Sequence, residues 1–195
     1  MTPERSDRQI LEGDDIRDCS VSFAEANIKM FLYILPPVAL LVGTFGLLWG
    51  WKTLGDGFDR FLTLWIFLPV CVLGIVIHEL IHGITWAAAG RLPWSDIRFG
   101  FDRKSFTPYA HAKRPIPVNA YRIGAAMPGV LTGVLPCLIA LATGSGPLMA
   151  AGLFFTFAAG GDLLVLWLSR GIAAGELVQD HPSRVGFLVV GSSRT

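Results

Sequence analysis

The sequence has few charged residues. Asp, Glu, Lys and Arg make up 16% of its 195 residues, hydrophobic residues make up 52%, and the mean hydropathy is +0.54. This composition excludes an ordinary soluble domain of this length and predicts a membrane protein. The formal net charge of +1 says little about partners, and we expect no nucleic acid among them.

A cysteine framework is also lacking. The three cysteines, Cys19, Cys71 and Cys137, form no Cys-x-x-Cys pair, and two of them lie in apolar stretches. Any metal must therefore be bound by histidine and carboxylate side chains. The first thirty residues carry seven acidic and four basic side chains without a basic start followed by an apolar run, so we expect no cleavable signal peptide.

Four apolar segments have the length of about 20 residues that a membrane-spanning helix needs. They cover about residues 31–51, 61–90, 124–143 and 148–169. We therefore predict an all-α membrane protein with four transmembrane helices, in which a 31–170 membrane domain lies between an N-terminal segment (1–30) and a C-terminal tail (171–195). Pro69 predicts a tilt or a kink in the long second segment.

Lys and Arg are distributed unevenly around these segments. Four precede the first span, two separate the first and second, seven separate the second and third, none separate the third and fourth, and three follow the fourth. Because basic residues collect on the cytoplasmic side, we expect both termini and the 91–122 loop in the cytoplasm. Alternating residues in 95–102 and 107–112 predict a small β-hairpin in this loop, which either pairs with an extended substrate or only caps the helix ends.

The second segment contains His78-Glu79-Leu80-Ile81-His82. Two histidines four residues apart project from one face of a helix, so both imidazoles can reach a single Zn²⁺. Glu79 then has the position of the general base in zinc proteases, where it takes a proton from the metal-activated water. The alternative is a pair of core histidines hydrogen-bonded to Glu79, but three ionisable groups within five positions at membrane depth are costly without a compensating partner.

A hydrolytic zinc needs a third protein ligand, and Asp162 is the only charged residue in the third and fourth segments. It lies about 12 Å from the cytoplasmic end of its span, as His82 does, at 1.5 Å per residue. We predict that Asp162 is the third ligand; the alternative is a carboxylate that pairs helices. Gly160-Gly161 before it would let a helix or a substrate approach closely.

Four further residues are possible accessories of the site. Pro128, with Pro136, would loosen the third span by admitting water or freeing carbonyls, or would only kink it. His111 in the loop, and Asp180 with His181 in the tail, are also candidates for a direct role at the metal, although an ordinary loop or a proline turn explains them as well.

Several motifs together resemble a family of small bacterial membrane zincin peptidases, related to the site-two-protease class. They are the His78–His82 motif, Arg98-Phe99-Gly100-Phe101, Thr107-Pro108-Tyr109-Ala110-His111, Ala126-Met127-Pro128-Gly129, Gly161-Asp162 and Asp180-His181-Pro182, within about residues 61–187. The resemblance implies zinc-dependent hydrolysis of a membrane protein or peptide, within or beside a bacterial cell membrane, with His78, His82 and Asp162 as ligands and Glu79 as base.

The sequence departs from the site-two-protease pattern in two places. No Asn stands three residues before Pro128, and Leu163 rather than Gly follows Asp162. Two other functions remain open: a metal-binding membrane scaffold without catalysis, which would tolerate loss of Glu79, and a metal transporter that uses His and Asp as a relay.

Overall fold

The computed structural model describes residues 16–102, 107–181 and 184–191, most of which are helical. The helices are α1 (Phe23–Trp49), α2 (Trp51–Phe61), α3 (Leu64–Ala89), α4 (Val118–Pro128), α5 (Leu135–Thr143), α6 (Gly146–Ala158) and α7 (Gly160–Ser169), with a π-helical segment (Gly129–Val134) between α4 and α5. The strands are β1 (Ile16–Val21), β2 (Ile97–Asp102), β3 (Thr107–Ala112), β4 (Ile116–Pro117), β5 (Leu177–Asp180) and β6 (Val185–Val190).

Three helices of the described chain are long and apolar enough to cross a membrane: α1, α3 and the run 118–143 formed by α4, the π-helical segment and α5. Helices α6 and α7 make a fourth crossing only if the pair, bent by 45° at its junction, is one broken span. Large apolar side chains stand exposed on these helices, such as Leu47 at 82% and Trp65 at 85%. Such a surface is suited to lipid, and the chain is a membrane protein.

Helix α1 begins at Phe23 rather than near residue 31. The Ser22 hydroxyl accepts a hydrogen bond from the Glu25 N–H at 3.2 Å, and Glu25 pairs with Lys29 one turn later at 2.6 Å. An N-cap of this kind satisfies a backbone donor that the helix itself leaves unpaired. The apolar run used to locate the span therefore starts after the helix does.

Helix α2 lies where the sequence predicted only a short connection. It is amphipathic, with Leu54 and Phe61 buried and with Lys52 and Asp56 paired on the exposed side at 2.6 Å. Gly57 packs directly on the first turn of α6, since a Cβ at this position would lie 2.3 Å from the carbonyl carbon of Gly146. Only glycine allows that approach.

The predicted hairpin between the second and third spans is confirmed. Strands β2 and β3 pair antiparallel, with Ile97 opposite Ala112 and Asp102 opposite Thr107. The pair packs against α3, the helix that carries His78 and His82. The hairpin therefore lies beside the motif.

A four-stranded antiparallel sheet in the order β1-β6-β5-β4 is the main feature that the predicted all-α class omitted. Ile16 in β1 pairs with Val190 in β6, so the two ends of the described chain lie side by side. The sheet shares a buried core with the ends of α3 and α4, through Trp86, Tyr121 and Phe187. Pairing between segments this far apart leaves little local pattern in a sequence.

Arg122 joins the start of α4 to the end of α7. Its guanidinium donates to the carbonyl oxygens of Ser169 and Ile172, the latter at 2.8 Å. Helix α4 also packs along α3. These contacts bring α3, α4 and α7 together around the motif.

Candidate metal centre

His78 and His82 on α3 meet Asp162 in the first turn of α7. The Nε2 of His78 lies 3.1 Å from Oδ2 of Asp162, and the Nε2 of His82 lies 3.3 Å from Oδ1. The side chains are 12%, 8% and 24% exposed, in the order His78, His82, Asp162. The structure thus brings together the three residues that the sequence indicated as ligands.

These separations fit a zinc ion. Two donors of a tetrahedral site, each about 2.0–2.1 Å from Zn²⁺, lie about 3.3 Å apart. The observed 3.1 and 3.3 Å match that value, and two imidazoles with one carboxylate are a donor set that zinc prefers.

The orientation of His82 is fixed by two neighbours. Its Nδ1 lies 3.0 Å from the carbonyl oxygen of Gly124, which can only accept, so Nδ1 carries the proton. In a neutral imidazole the Nε2 lone pair then faces the Asp162 carboxylate, and a cation between the two satisfies both. The Trp86 indole stacks on the His82 imidazole, with ring centroids 5.0 Å apart and ring planes at 23°.

Glu79 completes the cluster. His78, Glu79 and His82 each place one ligand atom within 4.8 Å of the others. The backbone N–H of Ala110 in β3 lies close to the Glu79 carboxylate, and both residues line the same cavity. Strand β3 therefore lies beside the carboxylate that the sequence predicted to be the general base.

A cavity of about 350 Å³ opens onto these groups. A hydrolytic zinc needs an open coordination position, and this cavity gives solvent or a peptide access to it. The lining residues come from α3, β3, α4, α6, α7 and the β5–β6 region: His78, Glu79, His82, Trp86, Pro108, Tyr109, Ala110, Tyr121, Ala125, Ala158, Gly161, Asp162, Val165, Asp180, His181, Arg184 and Gly186.

The predicted accessory residues lie in two places. Asp180 accepts a hydrogen bond from the Tyr121 hydroxyl at 2.6 Å, and both residues line the cavity. His111 joins this polar group from outside the lining, with its Nδ1 3.0 Å from Oδ2 of Asp180. Pro128 is the last residue of α4, directly before the π-helical segment.

His181 also lines the cavity. Burial lowers its pKa, and its Nδ1 accepts the Arg184 N–H at 3.0 Å, both of which favour the neutral imidazole. Its Nε2 lies 3.9 Å from Oδ2 of Asp18 in β1, and this contact joins the cavity wall to the first strand.

The two glycines before Asp162 differ in their surroundings. A Cβ on Gly160 would lie 2.4 Å from Cγ of Met30, so this glycine lets helix α1 pack closely against α7. A Cβ on Gly161 would meet open space. The close helix approach that the sequence predicted occurs at Gly160 alone.

Sequence reasoning missed Trp86, Tyr121 and two backbone groups beside the site, the Gly124 carbonyl and the Ala110 N–H. Trp86 had a usable signal, because it follows His82 by four residues and so shares its helix face. The two backbone groups have no side-chain identity, so a sequence carries no direct sign of them.

A family model described as "Putative zincin peptidase" matches residues 71–172, which include the His78–His82 motif, the hairpin and Asp162. No curated protein and no solved structure matches the chain. The matched region covers just over half of the sequence, and it agrees with the resemblance seen in the motifs. The chain belongs to the putative zincin peptidase family.

Proposed function

We propose that the protein is a zinc-dependent peptidase that cleaves membrane proteins or peptides within or beside the bilayer. His78, His82 and Asp162 hold the zinc, and Glu79 is the general base. The observation that carries the proposal is that the Nε2 atoms of two imidazoles from one helix face a single carboxylate from another, at 3.1 and 3.3 Å.

Two carboxylates compete for the third ligand position. Asp162 contacts both imidazole Nε2 atoms, as a ligand that shares a metal with them would. Glu79 lies one step around the helix from His78, close to the Ala110 N–H. Asp162 therefore suits the ligand role, and Glu79 is left for proton transfer.

Zinc, when bound here, would make a water acidic enough to react near neutral pH and would polarise the peptide carbonyl. Glu79 takes the proton of that water and passes it to the nitrogen of the leaving amine. The nearby Ala110 N–H would orient the Glu79 carboxylate during both transfers. Asp162 and the Gly124 carbonyl orient the two imidazoles.

The substrate must be extended, because the carbonyls of a helix are already hydrogen-bonded. Strand β3 suits such a substrate. A residue of an antiparallel strand directs its N–H to one side only, so the Ala110 N–H that reaches Glu79 points away from β2. An unwound peptide added to that edge would lie beside Glu79.

The type of membrane and the orientation of the protein in it are also part of the proposal. We propose that both termini lie in the cytoplasm, on the distribution of Lys and Arg around the spans. A bacterial cell membrane is what the resemblance of the motifs to bacterial zincin peptidases implies. The pairing of β1 with β6 supports an even number of crossings, because it puts both described ends on one side.

The test compares Glu79→Gln with His78→Ala in purified protein reconstituted in liposomes, using a pool of quenched fluorescent transmembrane peptides. Glu79→Gln should keep its zinc and lose at least about 100-fold in hydrolysis, because it removes the general base alone. His78→Ala should lose both. Glu25→Gln, a matched change at the start of α1, should resemble the unmodified protein.

Each competing function gives a different result in this assay. Equal zinc in the His78→Ala variant would refute the metal site. Loss of zinc from Glu79→Gln would make Glu79 a ligand. A metal-binding scaffold predicts that the unmodified protein cleaves no peptide, and a transporter predicts zinc flux into the same liposomes.

A further inference from the structure

We propose that Pro128 is a positioning residue for the metal site: because it has no N–H, it leaves the Gly124 carbonyl free to hold His82 with Nε2 directed at Asp162. This inference rests on the proposed function and extends it from the residues that bind zinc to a backbone device that orients one of them.

The backbone hydrogen bonds of α4 explain why the carbonyl is free. In an α-helix the N–H of each residue donates to the carbonyl four residues earlier. The residue four positions after Gly124 is Pro128, which has no N–H. The next donor along the chain, the Gly129 N–H, goes to the carbonyl of Ala126. Gly124 therefore has its oxygen available for a partner outside the helix.

His82 is that partner. Its Nδ1 lies 3.0 Å from the Gly124 oxygen, and His82 is buried. A buried carbonyl without a donor is costly, so the proline creates a demand that the imidazole N–H satisfies. The N–H used in this way is the one on Nδ1, which leaves the lone pair of the neutral ring on Nε2.

Gly124 itself makes the contact possible. A Cβ at this position would lie 2.0 Å from Nε1 of Trp86, the ring that stacks on His82. Glycine thus lets the backbone of α4 approach α3, and proline four residues later frees the carbonyl at the point of approach. The π-helical segment starts at Gly129, directly after this proline.

The consequence concerns metal binding. A hydrogen bond to the distal nitrogen of a ligating histidine sets the tautomer, orients the ring and raises its basicity, and loss of such a bond typically weakens metal binding 10- to 100-fold. If residue 128 carried an N–H, the helix would recapture the Gly124 carbonyl. That N–H would compete with His82 for the Gly124 oxygen, so the hydrogen bond to Nδ1 would weaken and the second tautomer would become more accessible.

The test uses Pro128→Ala, with Pro136→Ala as the matched control, because both restore an N–H in the same membrane-spanning run but Pro136 is two turns further along. Two quantities are measured in purified full-length protein in detergent. The ¹⁵N chemical shifts of the His82 imidazole in metal-free protein report its tautomer, and competition with a chelator gives the dissociation constant for Zn²⁺.

We expect Pro128→Ala to increase the share of the Nε2–H tautomer and to raise the Zn²⁺ dissociation constant at least about 10-fold. Its thermal stability should be unchanged or higher, because alanine favours helix more than proline does. A merely structural role would instead lower stability together with affinity. Pro136→Ala should keep the tautomer and the affinity of the unmodified protein.

Two results would overturn the inference: an unchanged tautomer in Pro128→Ala, or the same changes in Pro136→Ala as in Pro128→Ala. If the unmodified protein binds no Zn²⁺, the proposed function fails. The comparison of tautomers then decides by itself whether Pro128 positions His82.

Discussion

Gly124→Ala is a sharp test of how tightly the site is packed, because it adds one methyl group where α3 and α4 touch. The new Cβ would lie 2.0 Å from Nε1 and 2.1 Å from Cδ1 of Trp86, whereas ordinary contacts begin at 3.4 Å. The indole must therefore move by more than 1 Å, or the two helices must separate. Trp86 has little room, since it is 5% exposed and stacks on both His82 and Tyr121.

The size of the effect follows from two opposed contributions. Forcing an extra methyl group into a packed core costs about 1–3 kcal/mol. Replacing glycine by alanine in a helix returns about 0.8–1 kcal/mol. We expect a net loss of up to about 2 kcal/mol in the free energy of unfolding. The displaced indole also disturbs the His82 ring, so zinc affinity should fall about 10-fold, which equals about 1.4 kcal/mol of binding free energy.

Thermal unfolding in detergent and zinc competition with a chelator measure the two effects. Gly43→Ala is the control, because this glycine of α1 would place a Cβ in open space. The control should unfold at the same or a higher temperature and bind zinc normally. If the Gly124→Ala variant had the same unfolding temperature and zinc affinity as the control, the contact between α3 and α4 would be looser than the structure indicates.

Two further predictions concern strand β3 and the sheet. Ala110→Pro removes the N–H beside the Glu79 carboxylate, so kcat/KM should fall about 10-fold at unchanged zinc content. Ala110→Gly keeps this N–H and should stay near the unmodified value. Equal rates for both variants would remove the Ala110 N–H from the mechanism. Burial opposes a low pKa at Asp18, but hydrogen bonds from Ser20 and the nearby His181 and Arg184 outweigh it and lower the pKa below 3.8. Because the folded-state pKa is depressed, the ionised Asp18 stabilises the protein above about pH 4, and this stabilisation is lost as the pH falls further. The Asp18→Asn variant should therefore unfold at a lower temperature than the unmodified protein at pH 7. On acidification to pH 3 it should lose less stability than the unmodified protein does. An identical pH profile of the melting temperature in both proteins would contradict this.

The three long helices and the metal motif could be predicted because each depends on a local pattern. About 20 apolar residues cross a bilayer whatever lies around them, and α3 was located to within a few residues. Histidines at positions i and i+4 share a helix face by the geometry of the helix alone. Asp162 was recognised for a related reason, since a lone carboxylate in an apolar span is costly unless it has a partner.

Boundaries and connections were predicted less well. The start of α1 depends on the Ser22 cap rather than on apolar residues, and α2 is stabilised by its packing on α6 at Gly57. The bend between α6 and α7 divides the last apolar segment, although its composition is continuous. In each case packing or capping decided what hydropathy could not.

The sequence by itself determined that this protein lies in a membrane and carries a pair of histidines and a glutamate suited to zinc, because chain-local periodicity and the cost of burying charge act without knowledge of the fold. Only the tertiary structure decided that Asp162 meets both imidazoles and that β1 pairs with β6. It also decided that the Gly124 carbonyl contacts His82 and that the Ala110 N–H lies beside Glu79. Those contacts join segments far apart in the chain, and two of them use backbone atoms that every residue shares.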